Sequence, residues 1–153
     1  MPLTFHSSDL ESSDVIALLA FHFEDMRSKS PLDACHVLPL ESLREKGTSF
    51  FSARENGILM GIGALKRIGA GHGEVKSMRT APWALGRGVG RAILRKIMSE
   101  ALERGYRRLS LETGTSGPFT PALKLYESEG FVTCGPFGSY RDNPFTRFLT
   151  REL

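Results

Sequence analysis

The sequence predicts an α/β protein, a mixed and mostly antiparallel sheet flanked by helices, and a change in its pattern carries that prediction. Between residues 48 and 80, three runs rich in β-forming residues are separated by turn signals, which reads as a meander of antiparallel strands. From Val89 the apolar residues switch to helical spacing, and strand and helix patterns then alternate towards the C-terminus. With 153 residues the chain suits one core, so residues 1–153 are expected to form a single domain.

Leu3–His6 reads as a short first strand. Ser8-Asp9 opens a polar stretch suited to capping a helix, and Val15, Ile16, Leu18, Leu19, Phe23 and Met26 follow at mostly helical spacing. Ser30-Pro31 ends that run, because the residue before proline resists helical geometry. Leu32–Pro39 reads as a loop, and Leu40 and Leu43 among charged residues suggest a short second helix. Thr48–Glu55 runs into Asn56-Gly57, a strong hairpin signal, with Ile58–Leu65 as the return strand. Gly69–Gly73 makes a second turn and Glu74–Thr80 a third strand of the meander.

Val89, Ile93, Leu94, Ile97, Met98, Ala101 and Leu102 then share one helical face, which Gly105 is placed to end. Arg108–Glu112 alternates as a strand, and Ala122–Glu129 is helical up to Gly130. Phe131–Cys134 and Phe145–Thr150 are the closing strands. The expected order is β-α-α-β-β-β-α-β-α-β-β.

Composition narrows the function classes. The 20 basic and 17 acidic residues leave a formal charge of +3 with no block of one sign, which disfavours nucleic acid as a partner. No apolar run is long enough to cross a bilayer and no secretory pattern opens the chain, so a cytoplasmic protein that does not engage membranes is expected. Cys35 and Cys134 form no CxxC pair and read as free thiols. His6, His22, His36 and His72 show no ligand spacing, so no metal is expected. Trp83 and the phenylalanines read as packing residues.

The segment between Thr80 and the next helix ends in Gly86-Arg87-Gly88-Val89-Gly90. Glycines there let a backbone approach a ligand, and the helix start offers unpaired N–H groups and a positive dipole end. Arg87, Arg91 and Arg95 recur every fourth residue and could add contacts to phosphate oxygens. On its own the pattern equally fits a tight turn with solvated arginines. It lacks the Gly-Lys-Ser/Thr ending of a P-loop and follows three strands rather than a first βαβ unit, which sets aside a dinucleotide fold.

Two motifs in order decide the matter. Leu85-Gly86-Arg87-Gly88-Val89-Gly90, with Pro82 ahead of it, is followed by Phe119 and then Leu125-Tyr126-Glu127-Ser128-Glu129-Gly130-Phe131. Together they resemble the GNAT superfamily of acyl-CoA-dependent N-acetyltransferases. The stretches HGEVKSMRT and RLSLETG are similar to a bacterial branch of it, the YsnE-like proteins.

The resemblance implies a direct transfer of acetyl from acetyl-CoA, as cosubstrate, to an amine acceptor of a small molecule or peptide within one ternary complex. It implies that Gly86, Arg87, Gly88, Val89, Gly90 and Arg91 hold the pyrophosphate. Met78, Arg79 and Thr80 would flank the pantetheine arm, with backbone groups of Met78 and Thr80 pairing with it like an added strand. Tyr126 matches the tyrosine that protonates the departing sulfur. Glu74, eleven positions before Leu85, matches the general base of several members, a water chain being the alternative base in this family, and strand alternation puts Glu74 on one face with Lys76 and Met78.

Two departures stand out. Leu85 replaces the motif's first Arg or Gln, and Phe119 replaces the usual Asn, so an apolar contact to the cosubstrate takes the place of a hydrogen bond. Both leave room for a second reading, a non-catalytic acyl-CoA-binding module. His36, Arg79 and Tyr140 are candidates for the acceptor pocket, and dimers are common among similar proteins, so a homodimer is compatible with the chain.

Overall fold

The computed structural model describes residues 2–29 and 39–153. Expectations for Ser30-Pro31, for Cys35 and His36, and for the loop through residue 38 lie outside them. A seven-stranded sheet runs β1-β2-β3-β4-β5-β7-β6. Its strands are β1 (Thr4–Ser7), β2 (Thr48–Glu55), β3 (Ile58–Gly69), β4 (His72–Thr80), β5 (Arg108–Gly114), β6 (Val132–Cys134) and β7 (Thr146–Glu152). All neighbours are antiparallel except β4 and β5. Among the described residues, the α-helices are α1 (Ser13–Lys29), α2 (Val89–Glu103) and α3 (Thr120–Ser128). The expected short second helix is a 3-10 helix, Leu40–Arg44, in which Leu43 is buried and Leu40 packs partly buried against the core.

Turn chemistry sets the meander. Asn56 and Gly57 both take positive φ, 51° and 79°, the geometry of a two-residue hairpin turn. Close backbone approach then seats α2. A Cβ at Gly61 or Gly63 would stand 2.7 and 2.6 Å from Ile93, so only glycine lets Ile93 and Ile97 settle onto β3. Helix α1 covers the opposite face: Arg79 of β4 donates from Nε to His22 Nδ1 at 2.9 Å and pairs with Asp25 at 2.8 Å. At the other end of α1, Arg54 of β2 meets Asp14 at 2.7 Å and Asp9 at 3.0 Å. Between these layers lie the fully buried Phe50, Phe51, Ile62, Leu65, Ile93, Leu94, Ile97, Leu109 and Leu111.

Strand β4 is where simple alternation fails. Ala64 pairs with Lys76 and Ile62 with Arg79, so Ser77 and Met78 together oppose Gly63. Ser77 takes φ 54°, and the extra residue makes a β-bulge. The expectation that Glu74, Lys76 and Met78 share a face is therefore corrected. Glu74 and Lys76 face the α1 side, while Met78 lies against Gly63 under α2. Trp83 is a second correction: it is 60% exposed, with its indole N–H donating to the Leu59 carbonyl at 2.9 Å.

Candidate active site

Strands β4 and β5 pair at only three positions, His72 with Arg108, Gly73 with Leu109 and Glu74 with Ser110. Beyond Glu74, β4 continues to Thr80 along β3, and β5 continues to Gly114 along β7. The two strands thus part, leaving the β5-facing edge of β4 without a strand partner among the described residues. A cavity of about 600 Å³ occupies the opening. Its walls include Val75, Lys76, Ser77, Met78, Arg79 and Thr80 of β4, Glu112 and Thr113 of β5, and Phe119 and Tyr126 at α3. His22, Asp25 and Lys29 of α1 close one flank.

At the mouth stands the start of α2. Gly86 and Gly88 take φ 74° and 78°, a left-handed geometry that a side chain disfavours. Gly88 is the N-cap and offers no side-chain acceptor. The first bond within the helix runs from Ala92 N–H to the Gly88 carbonyl, so the N–H groups of Val89, Gly90 and Arg91 are free of helical partners. Gly90 lies where a Cβ would be 3.4 Å from Leu125 of α3 and 3.5 Å from Thr80 Oγ1, which brings both helices close to the end of β4. Uncapped amides with a positive dipole end make an anion site. The nearby arginines are held by carboxylates: Arg87 by Glu55 at 2.9 Å, and Arg91 and Arg95 by Glu129 at 3.1 and 2.6 Å.

Tyr126 is 9% exposed and reaches the cavity from α3, with its ring edge-on to Phe131 at 6.1 Å. Burial raises its hydroxyl pKa to about 12, so it stays protonated at neutral pH. Phe119 packs its ring over Gly114, where a Cβ could not fit, and presents an apolar surface to the opening. His22 is buried, and desolvation together with the adjacent Arg79 lowers its pKa to about 3. It is therefore a neutral imidazole whose Nδ1 accepts from Arg79, which puts its own proton on Nε2.

Glu74 stands one layer behind the wall. It is 2% exposed, accepts from the Tyr140 hydroxyl at 2.6 Å and pairs with Lys76 at 3.4 Å. Lys76 also donates to the Tyr140 oxygen at 2.8 Å and lies 3.9 Å from Glu112. Burial first, then the charge of Glu74, pushes the Tyr140 hydroxyl pKa far up. Lys76 and Glu112 are the members of this network that line the cavity. His72 lies at the paired end of β4 and β5, bonded to Ser110 Oγ at 2.7 Å.

Most residues expected at the site thus converge. Met78, Arg79, Thr80, Gly86 and Gly88 share the cavity with Gly90, Arg91, Phe119 and Tyr126. Val89 contributes its backbone while its side chain enters the core, and Arg87 points to Glu55. His22, Ser77 and Glu112 carried no signal in the sequence, since each depends on contacts made across the fold, and Lys76 showed only as a neighbour of Glu74 on one strand face. Among the described residues no group of three or more His, Cys, Asp or Glu is placed to hold a metal, and no helix is long and apolar enough to cross a membrane.

An unpaired strand edge leading to an uncapped helix start, with a protonated tyrosine lining the same cavity, suits an extended ligand that carries amides and an anionic group. Residues 13–131 match the acetyltransferase (GNAT) family model, and the chain belongs to that family of acetyl-CoA-dependent acyltransferases. It is 46% identical over 145 residues to the uncharacterized N-acetyltransferase YsnE of Bacillus subtilis, covering 95% of this chain and 96% of the relative. Against the uncharacterized N-acetyltransferase YedL of Escherichia coli it is 46% identical over 150 residues, covering 98% and 94%. The fold matches the crystal structure of a GNAT family acetyltransferase from Elizabethkingia anophelis with acetyl-CoA bound, at TM-score 0.71 and 20% identity over 99% of this chain and 98% of that one.

Proposed function

We propose that this protein transfers an acetyl group from acetyl-CoA to an amine of a small molecule or peptide, by direct attack within one ternary complex. The observation that carries the reading is the parting of β4 from β5, which leaves an unpaired strand edge running from the α2 turn to the bulge beside Tyr126. Acetyl-CoA supplies the activated acyl group when bound. Residues of this chain fit it: the N–H groups of Val89, Gly90 and Arg91 receive the diphosphate, and the turn glycines keep side chains out of its way. Met78 and Thr80 present backbone groups to the amides of the arm, as one strand does to another, with Arg79 between them anchoring β4 to α1. Phe119 and Leu125 give the arm an apolar flank.

Tyr126 donates its proton to the sulfur as the C–S bond breaks. Its raised pKa supports that role, because an acid must still hold its proton at neutral pH. Glu74 takes up the acceptor's proton at one remove. Lys76 passes a proton to the Tyr140 oxygen as Tyr140 passes its own to Glu74, and the Lys76 amine freed in this way takes the proton of the acceptor nitrogen. The two short bonds between those groups support this route.

The test is thiol release from acetyl-CoA in the presence of a panel of amines and peptides, alongside calorimetry with acetyl-CoA and CoA. Binding with amine-dependent thiol release is expected. Binding without release from any amine would leave an acyl-CoA-binding module, and no heat with either molecule at millimolar concentration would end the assignment.

A further inference from the structure

Ser77 is anomalous in two independent ways. Its φ of 54° lies in the left-handed region, and the bulge position it fills is one that glycine ordinarily occupies. A serine there stores strain that the surrounding fold must offset. Its hydroxyl is also orphaned: Ser77 is 9% exposed, and its Oγ is buried with no hydrogen-bond partner among the described residues. Serine side chains in turns usually find a local backbone acceptor, and this one does not. A buried polar group left without a partner is unfavourable and calls for an explanation. Nothing in the mechanism above uses it.

Its place in the fold supplies one. Ser77 lines the cavity at the bulge, three residues down β4 from Thr80 and three beyond Glu74, the last residue paired with β5. An arm laid along β4 from the α2 turn brings its reacting end to this point, into the cavity that Tyr126 also lines. We propose, resting on the acetyl-transfer reading, that the Ser77 hydroxyl donates a hydrogen bond to the carbonyl oxygen of the acetyl thioester and to the negative charge that gathers there during transfer. Ser77 is then a catalytic residue. The acceptor nitrogen forms its bond to the carbonyl carbon, and the π pair moves onto the oxygen that Ser77 contacts. When that pair returns, the C–S bond breaks. The sulfur gains the Tyr126 proton and the nitrogen's proton passes to the Glu74 network, so solvent exchange restores both groups.

The experiment compares wild type with Ser77→Ala and Ser77→Gly. Glycine suits the backbone and removes the orphaned group, so the free Ser77→Gly protein is expected to melt at or above the wild-type temperature, which excludes misfolding as a cause. For both variants kcat is expected to fall about 100-fold, the scale of losing one donor to a developing oxyanion. KM for acetyl-CoA and calorimetric affinity for free CoA should stay within about threefold of wild type, as expected when an interaction strengthens only in the transition state. The infrared carbonyl stretch of bound 13C-acetyl-CoA should move to higher frequency once the donor is gone. Wild-type kcat in both variants, or an equal loss of affinity for CoA and acetyl-CoA, would overturn the assignment. Wild-type protein that binds neither molecule would remove the acetyl-transfer reading, and this one with it.

Discussion

Removing one oxygen atom, in Tyr126→Phe, separates chemistry from stability. No protein group hydrogen-bonds that hydroxyl among the described residues, so its loss leaves no orphaned partner, and the unfolding free energy should stay within about 1 kcal/mol of the wild-type value. The ring keeps its packing on Phe131. Catalysis should respond very differently. With its pKa near 12, Tyr126 is protonated in all but about one molecule in 10⁵ at pH 7, so the variant loses an acid that is always loaded. Loss of a positioned acid lowers turnover by about 100-fold or more, equivalent to about 2.7 kcal/mol of barrier. Steady-state thiol release measures kcat, and calorimetry shows whether acetyl-CoA still binds. The same pKa implies that wild-type activity shows no loss from this group as pH rises to about 10. A phenylalanine variant turning over within threefold of wild type, with affinity intact, would refute the acid assignment.

Other positions give sharp expectations. Gly88→Ala meets no atom within 4 Å, so its effect is confined to the backbone at φ 78°, about 1–2 kcal/mol. A Tm lower by roughly 2–8 °C and weaker acetyl-CoA binding should follow, by thermal melts and calorimetry. Glu74→Gln should reduce turnover most at the acid end of the pH profile; a uniform response would leave Glu74 as a structural partner of Tyr140 and Lys76. His22 is held neutral with its pKa near 3, against 6.5 unfolded. Between those values the unfolded chain binds a proton that the folded one refuses, so stability falls as pH drops below about 6.5. His22→Gln should flatten that slope in melts from pH 7 to 4. Arg54 hydrogen-bonds Asp14 and holds its carboxyl below the usual range, a contribution present above pH 4 and lost on further acidification. Arg54→Met should lower Tm at pH 7 and narrow the gap between pH 7 and pH 3.

The elements were legible where a local rule governs them. Asn56-Gly57 sets its hairpin within two residues, Gly105 ends α2 with φ 80°, and the period change at Val89 marks the helix start itself. The Gly86–Gly90 run and the Leu-Tyr…Gly-Phe motif likewise pointed to a turn and a tyrosine that line one cavity. What escaped was set by long-range geometry. The bulge at Ser77 has no glycine to announce it, and it alone moves Met78 to the face opposite Lys76. His22 looked like any histidine on a helix until Arg79, far along the chain, reached it. Tyr140 and Glu74 lie 66 positions apart and meet only because the loop before β7 folds back over β4.

The gap between β4 and β5 also bears on solubility. An unpaired strand edge on the outside of a sheet invites pairing with another molecule and hence aggregation. Here that edge lies in the middle of the sheet, inside a cavity lined by residues of α1, α2 and α3, and not on an outer strand. The fold thus keeps β-type bonding capacity inside a cavity and away from the outer edges of the sheet.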